Sequence, residues 1–181
     1  MFPLNFQSGY AIGTPMARHR ITAAFALLIV LCALTISRSG VYRDEISLYT
    51  DVVAKSPNKA RPHNNLGDAL KNAGRIPEAG PHFERALELQ PAYTDALNNL
   101  ATIYIISGRK YEAMQLLSQA LILEPRHLQA RSNLAISYYE QGMFSEAEQH
   151  YDILLIIAPD SKEAFFARRM LPLVRDRKLR R

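Results

Sequence analysis

Three asparagines, Asn65, Asn99 and Asn133, stand 34 residues apart. A primary amide carries two donors and an acceptor, so a row of amides can satisfy the backbone of an extended peptide without reading its side chains. The same row can instead help neighbouring segments pack. Catalytic groups are sparse by comparison. The histidines are His19, His63, His82, His127 and His150. None forms an i, i+4 pair, none lies in H-E-x-x-H, and none sits beside a carboxylate in a recognisable constellation. His82 and His150 share a repeat position two units apart and read as exposed or half-packed side chains. The single cysteine, Cys32, excludes an intramolecular disulfide and a cysteine-based zinc site. There is no glycine-rich phosphate loop and no nucleophile elbow. Glu146 and Glu148 fall on a solvated helix surface. The expectation is a binding protein, not an enzyme, with no cofactor and no metal.

The asparagines belong to a wider period that dictates the elements around them. Proline recurs at 57, 91, 125 and 159, glycine at 74, 108 and 142, and alanine at 79, 113 and 147. Leu66, Leu100 and Leu134 keep the same phase. A fixed period of this length marks stacked supersecondary units. Small residues Gly67, Ala101 and Ala135 let two helices approach closely. Gly74, Gly108 and Gly142 fall where a first helix must end, a position that favours positive φ. Phe83, Leu117 and Tyr151 fill the space between helices, as do Leu70, Tyr104 and Tyr138. The prolines stop each second helix. Apolar residues make up 48% of the 181-residue chain, which excludes a disordered class, while 8 glycines and 10 prolines exclude a collagen-like one.

This pattern resembles the tetratricopeptide repeat family. The resemblance implies an all-α fold, a right-handed superhelix of antiparallel helix pairs with units at 60–93, 94–127 and 128–161. Helices are expected over 60–73, 76–89, 94–107, 110–123, 128–141 and 144–157. The family's aromatic near each unit's start is replaced by His63, Leu97 and Arg131. The resemblance further implies a concave groove lined by the first helices. Its candidate residues are Arg61, Asn64, Asn65, Asp68, Lys71 and Asn72, then Asp95, Asn98, Asn99 and Thr102, then Gln129, Ser132, Asn133, Ile136 and Tyr139. The asparagine row is similar to the amide ladders of peptide-binding grooves, so a protein or peptide partner is expected. Arg61 and Lys71 could hold a carboxylate at one end. Asp95, Gln129 and Ser132 add no further cation, a departure from grooves that clamp an acidic chaperone tail.

The flanks follow the same grammar. Residues 41–56 read as a second helix alone, with Tyr49 in the aromatic position. Residues 162–173 read as a solvating cap that Pro172 breaks or kinks, and 174–181 as a basic tail. Residues 168–181 carry a net +6 of the chain's +5, the remainder being −1. The tail reads either as a contact for anionic headgroups or an acidic partner, or as a frayed terminus. It lacks interleaved aromatics and the groove is mixed in charge, so no nucleic acid partner is expected.

Ahead of the repeats, Ile21 to Ile36 is free of charge and flanked by Arg18, Arg20 and Arg38. As a helix it would span roughly 24 Å against a hydrocarbon core of about 30 Å, with the arginines snorkelling. Residues 21–39 are expected to form one transmembrane helix, after an N-terminal loop over 1–20. A cleaved signal peptide and a buried helix are the competing readings; Ser37–Ser39 makes a poor cleavage site. The basic flanks are balanced and do not set orientation. The junction VYRDEISLYTDVVAKSPNKARPHNNLG is similar to the join between the last membrane helix and the repeat tail of large polytopic bacterial membrane proteins related to transmembrane-and-TPR mannosyltransferase-like proteins. That resemblance implies a periplasmic array, and the one apolar segment makes a single-pass membrane protein the expectation. It also raises an alternative role as a non-catalytic part of a membrane protein glycosyltransferase system.

Overall fold

The computed structural model describes residues 44–180. The expected loop over 1–20, the membrane helix over 21–39 and the start of the half-repeat lie outside the described residues. Eight helices are described: α1 (Glu45–Lys55), α2 (Ala60–Asn72), α3 (Ile76–Leu89), α4 (Thr94–Ile106), α5 (Lys110–Leu123), α6 (Leu128–Glu140), α7 (Phe144–Ile157) and α8 (Lys162–Leu179). The pairs α2–α3, α4–α5 and α6–α7 are the three expected units, with helix ends within one residue of expectation. Among the described residues, no helix is long and apolar enough to cross a membrane.

The turn inside each pair is built the same way three times. Gly74, Gly108 and Gly142 adopt φ of +76°, +78° and +73°. The next residue's N–H reaches back five residues: Arg75 to the Leu70 carbonyl (2.9 Å), Arg109 to Tyr104 (2.8 Å) and Met143 to Tyr138 (2.9 Å). The glycine N–H meanwhile donates to the carbonyl of Lys71, Ile105 or Tyr139. These paired bonds satisfy the carbonyls that a helix end leaves open. The backbone needs a left-handed residue there, and glycine supplies it without a Cβ penalty.

The turn folds the second helix back onto the first at the small residues. Ala79, Ala113, Ala147, Phe83, Leu117 and Tyr151 are fully buried. A Cβ at Gly67 would stand 2.8 Å from Phe83 Cε1, so the aromatic ring occupies the space that glycine leaves. Burying a side chain of this size contributes about 1.5–3 kcal/mol. α1 lays Ile46, Tyr49 and Val53 against the cluster of Leu66, Leu70 and Phe83, as a second helix would.

Where the family's aromatic is missing, the replacements are tied down by polar contacts. His63 Nε2 donates to the Pro57 carbonyl (3.0 Å) and its Nδ1 meets His82 Nδ1 at 3.3 Å. Two units on, Arg131 donates to the Pro125 carbonyl and its Nη1 lies 3.4 Å from His150 Nδ1. Unit two keeps an apolar version, with Leu97 buried.

The C-terminal expectation needs correction. Pro172 does not end the cap at 173, and 174–180 is not a frayed tail: α8 runs unbroken through the proline to Leu179. Proline removes only the bond to the Arg168 carbonyl, while Leu171 and Val174 beside it are buried against Tyr151 and Leu154. Arg175 Nε (2.7 Å) and Lys178 Nζ (2.8 Å) both bind Glu148, and Arg175 also reaches Asp152 at 3.4 Å. The two cations hold the Glu148 carboxyl below the usual carboxylate range, Lys178 most strongly.

Two helical glycines separate close approach from propensity. Gly80 has space, its nearest neighbour being Ile103 Cγ2 at 3.7 Å. Gly80→Ala should leave thermal stability unchanged or raise it by up to about 1 kcal/mol. Gly67→Ala should lower it by about 1–3 kcal/mol through overpacking on Phe83. Gly108→Val, strained at positive φ, should cost about 1 kcal/mol or more. Melting followed by circular dichroism checks all three, and equal effects at 67 and 80 would refute the close approach.

Candidate binding groove

The first helices α2, α4 and α6 lie side by side and expose one polar face. Two adjoining depressions run along it. One of about 400 Å³ is lined by Asn64, Asn65, Asp68, Lys71, Asn72, Asp95, Asn98, Asn99 and Gln129. The next, about 320 Å³, shares Lys71, Asn98, Asn99 and Gln129 and adds Thr102, Ser132, Asn133, Lys162 and Glu163. Twelve of the fifteen candidate residues therefore come together in a continuous groove. Three line neither depression. Arg61 lies beside the Tyr93 hydroxyl, whose titration is pushed up chiefly by burial. Ile136 packs into the cluster of Ala135, Tyr151 and Leu171. Tyr139 turns towards Phe144 (ring centroids 5.6 Å apart) and Arg177, in a separate depression at the α6–α7 turn.

The amides are already partly spent on one another. Asn99 Nδ2 donates to Asn64 Oδ1 (3.1 Å), and Asn133 Nδ2 donates to Asn98 Oδ1 (2.9 Å). Each bond joins one unit to the preceding one. Asn99 Oδ1 also accepts from Lys71 Nζ (3.0 Å). Joining units is therefore one job of the row. The buried asparagines Asn64 and Asn98 act as its acceptors, a role that the 34-residue spacing of Asn65, Asn99 and Asn133 does not reveal.

Lys71 is not a free cation. Its ammonium contacts Asp68 Oδ1 at 2.6 Å and lies 5.9 Å from the centroid of the Phe83 ring. A carboxylate ligand would have to displace Asp68, and Arg61 stands apart with Tyr93. Asp95 accepts from His127 Nε2 at 3.1 Å, while His127 Nδ1 accepts from the Ala130 N–H and caps α6. Those two bonds make Nε2 the donor to Asp95 and fix the orientation of the ring. Lys162 and Glu163 were missed because the groove was ended with the third unit. Carrying the phase to a fourth start at 162 puts Glu163 level with Arg61, Asp95 and Gln129. Among the described residues, no group of three or more His, Cys, Asp or Glu side chains could hold a metal ion.

Stacked helix pairs, a left-handed glycine in the turn inside each pair and an amide-lined face define a helical-repeat scaffold suited to protein binding. Two family models, both described as tetratricopeptide repeat, match residues 64–123 and 107–167. Residues 64–167 are tetratricopeptide repeats. Over 83 residues, 46% of this chain, the sequence is 34% identical to the human protein named Protein O-mannosyl-transferase TMTC1, and over 70 residues it is 34% identical to the Caenorhabditis elegans Protein O-mannosyl-transferase F38B6.6. These stretches span 9% and 10% of those relatives. Among solved structures, MamA superposes with a TM-score of 0.65 at 21% identity, over 74% of this chain and 71% of that one. The first TPR of Spaghetti (RPAP3), solved with an HSP90 peptide, superposes with 0.61 at 19% identity, over 65% and 91%. These structures share the fold.

The contacts of His82 and His150 should make the array sensitive to acid. Burial first, then the facing His63, pushes His82 below the ordinary histidine range; burial first, then Arg131, does the same for His150. A depressed imidazole contributes stability above its unfolded value, lost as pH falls through the folded one. The melting temperature should fall as pH drops from neutral through the histidine range and below. His150→Phe should make that fall shallower; an unchanged profile would refute its part.

Proposed function

We propose that residues 44–180 are a non-catalytic scaffold that binds an extended protein or peptide segment along the α2–α4–α6 face. The observation that carries this reading is the continuous, amide-lined groove, with polar capacity left over after the units are joined. Asn65 and Gln129 line it and make none of the inter-unit bonds. The RPAP3 neighbour, solved with a peptide, supports the same use of the fold. Residues 21–39 anchor the chain in a membrane, and the array faces the exported side.

The Asn65→Ala, Gln129→Ala double variant separates ligand contact from packing. Full-length protein carrying it should keep its helicity and melting temperature but capture partners about thirtyfold less well, at about 1 kcal/mol per hydrogen bond. Asn99→Ala should instead lower stability by about 1–2 kcal/mol, because it breaks the bonds to both Asn64 and Lys71. Equal capture by the native protein and the double variant, or no capture by either, would sink the groove reading. The anchor predicts that the protein stays with membranes through an alkaline carbonate wash; release into the supernatant overturns it.

A second reading is favoured by the similarity to the O-mannosyl-transferases: the chain presents acceptor proteins to a membrane-bound catalytic partner. Co-purification of a multi-span protein with mannosyl-transfer activity would support that role, and its absence from gently solubilised complexes would count against it.

A further inference from the structure

The outward face of α8 is built differently from every other first helix. In the three units, positions 7 and 8 hold a leucine and a small residue, Leu66–Gly67, Leu100–Ala101 and Leu134–Ala135, which admit the second helix. In α8 the same two positions are Arg168 and Arg169, both exposed. Arginine side chains stand where the close approach of α3 to Gly67 needs a small residue. It nevertheless carries large apolar side chains: Phe165 is 62% exposed, Leu173 53% and Leu179 87%. Phe165, Arg169, Leu173, Asp176 and Arg180 follow at helical spacings along one stripe, with Arg177 on its flank.

The ion pairs sort the C-terminal cations into two sets. Arg175 and Lys178 are consumed in docking α8 on Glu148 and Asp152. Arg168 donates to the Pro159 carbonyl and keeps its charge. Arg169 and Arg177 have no carboxylate partner among the described residues, and Arg180 meets only the exposed Asp176 at 3.0 Å. The outward face is thus net cationic with interleaved apolar side chains.

We infer that the outward face of α8 docks on an anionic phospholipid bilayer, lying in the interface with Phe165, Leu173 and Leu179 turned towards the acyl boundary. A fluid surface suits this face: long arginine side chains reach phosphate groups while their stems and the neighbouring apolar groups stay in the less polar layer. α8 lies on the membrane and does not span it. The contact is independent of residues 21–39 and of any ligand in the groove.

The chain has no tryptophan, so Leu173→Trp in the full-length protein gives a single local reporter. Its emission should shift to the blue and be quenched by bromine-labelled lipid in vesicles of phosphatidylcholine with phosphatidylglycerol. High salt should reverse both changes. Vesicles of phosphatidylcholine alone should produce neither. Arg169→Gln, Arg177→Gln and Arg180→Gln together leave the docking pairs intact and should weaken the lipid contact on the order of a hundredfold. Ile122→Trp, on α5, is the reference position and should stay unquenched, which separates a specific face from a chain held at the membrane elsewhere. The inference fails if the Leu173→Trp signal does not change, if neutral vesicles or the reference position respond equally, or if the arginine variant binds as well as its parent. It also fails if a single-stranded oligonucleotide moves the reporter where anionic vesicles do not. A Leu179→Trp reporter repeats the test should position 173 disturb the helix.

Discussion

Everything in the array depends on how closely two helices of a pair can approach. The Phe83 ring lies where a Cβ of Gly67 would be. Ala101 and Ala135 stand at the same position in clusters built around Leu117 and Tyr151. That separation fixes how far each turn must reach, and only a left-handed residue closes it in so few steps. It also leaves every pair with an apolar outer face that it cannot bury alone, so each unit requires a neighbour. α1 supplies one at the start of the described array and α8 at its end.

The groove is a by-product of that stacking, lined by the polar side of helices whose other sides are committed to packing. Its polarity serves two ends. The Asn99–Asn64 and Asn133–Asn98 bonds set the spacing between units, and what remains faces the solvent. A ligand therefore meets a surface whose internal hydrogen bonds are largely made. Lys71, balanced by Asp68 and Asn99, contributes geometry more than charge.

Much of this was legible in the sequence because the repeat forces particular residue types. Glycines 74, 108 and 142 announced positive φ, alanines 79, 113 and 147 kept the phase of close packing, and the helix ends of the three units followed to within a residue. Twelve of the groove residues were readable for the same reason: position in the period determines which way a side chain points. What escaped depends on partners distant in sequence. That Asn64 and Asn98 accept from the next unit is set by stacking, not by spacing. Pro172 reads as a helix stop, yet burial of Leu171 and Val174 and the grip of Glu148 on Arg175 and Lys178 outweigh one lost backbone bond. Glu163 and Lys162 escaped because a cap was treated as a lid on the core, although its first turn also closes the end of the groove.

The substitutions at the missing aromatic position make the repeats chemically unequal despite their shared geometry. His63 and Arg131 both hold a proline carbonyl, but an imidazole can shed its charge and a guanidinium cannot. Arg131 keeps its cation inside the protein, with its Nε finding no acceptor among the described residues. In the same unit, the buried Tyr151 hydroxyl is also without a partner among the described residues. Two idle polar groups in one unit are a local thirst for solvent that the leucine-filled middle unit lacks. Those unpaired groups make the third unit costlier to bury than its neighbours, so units of one geometry differ in what holds them together.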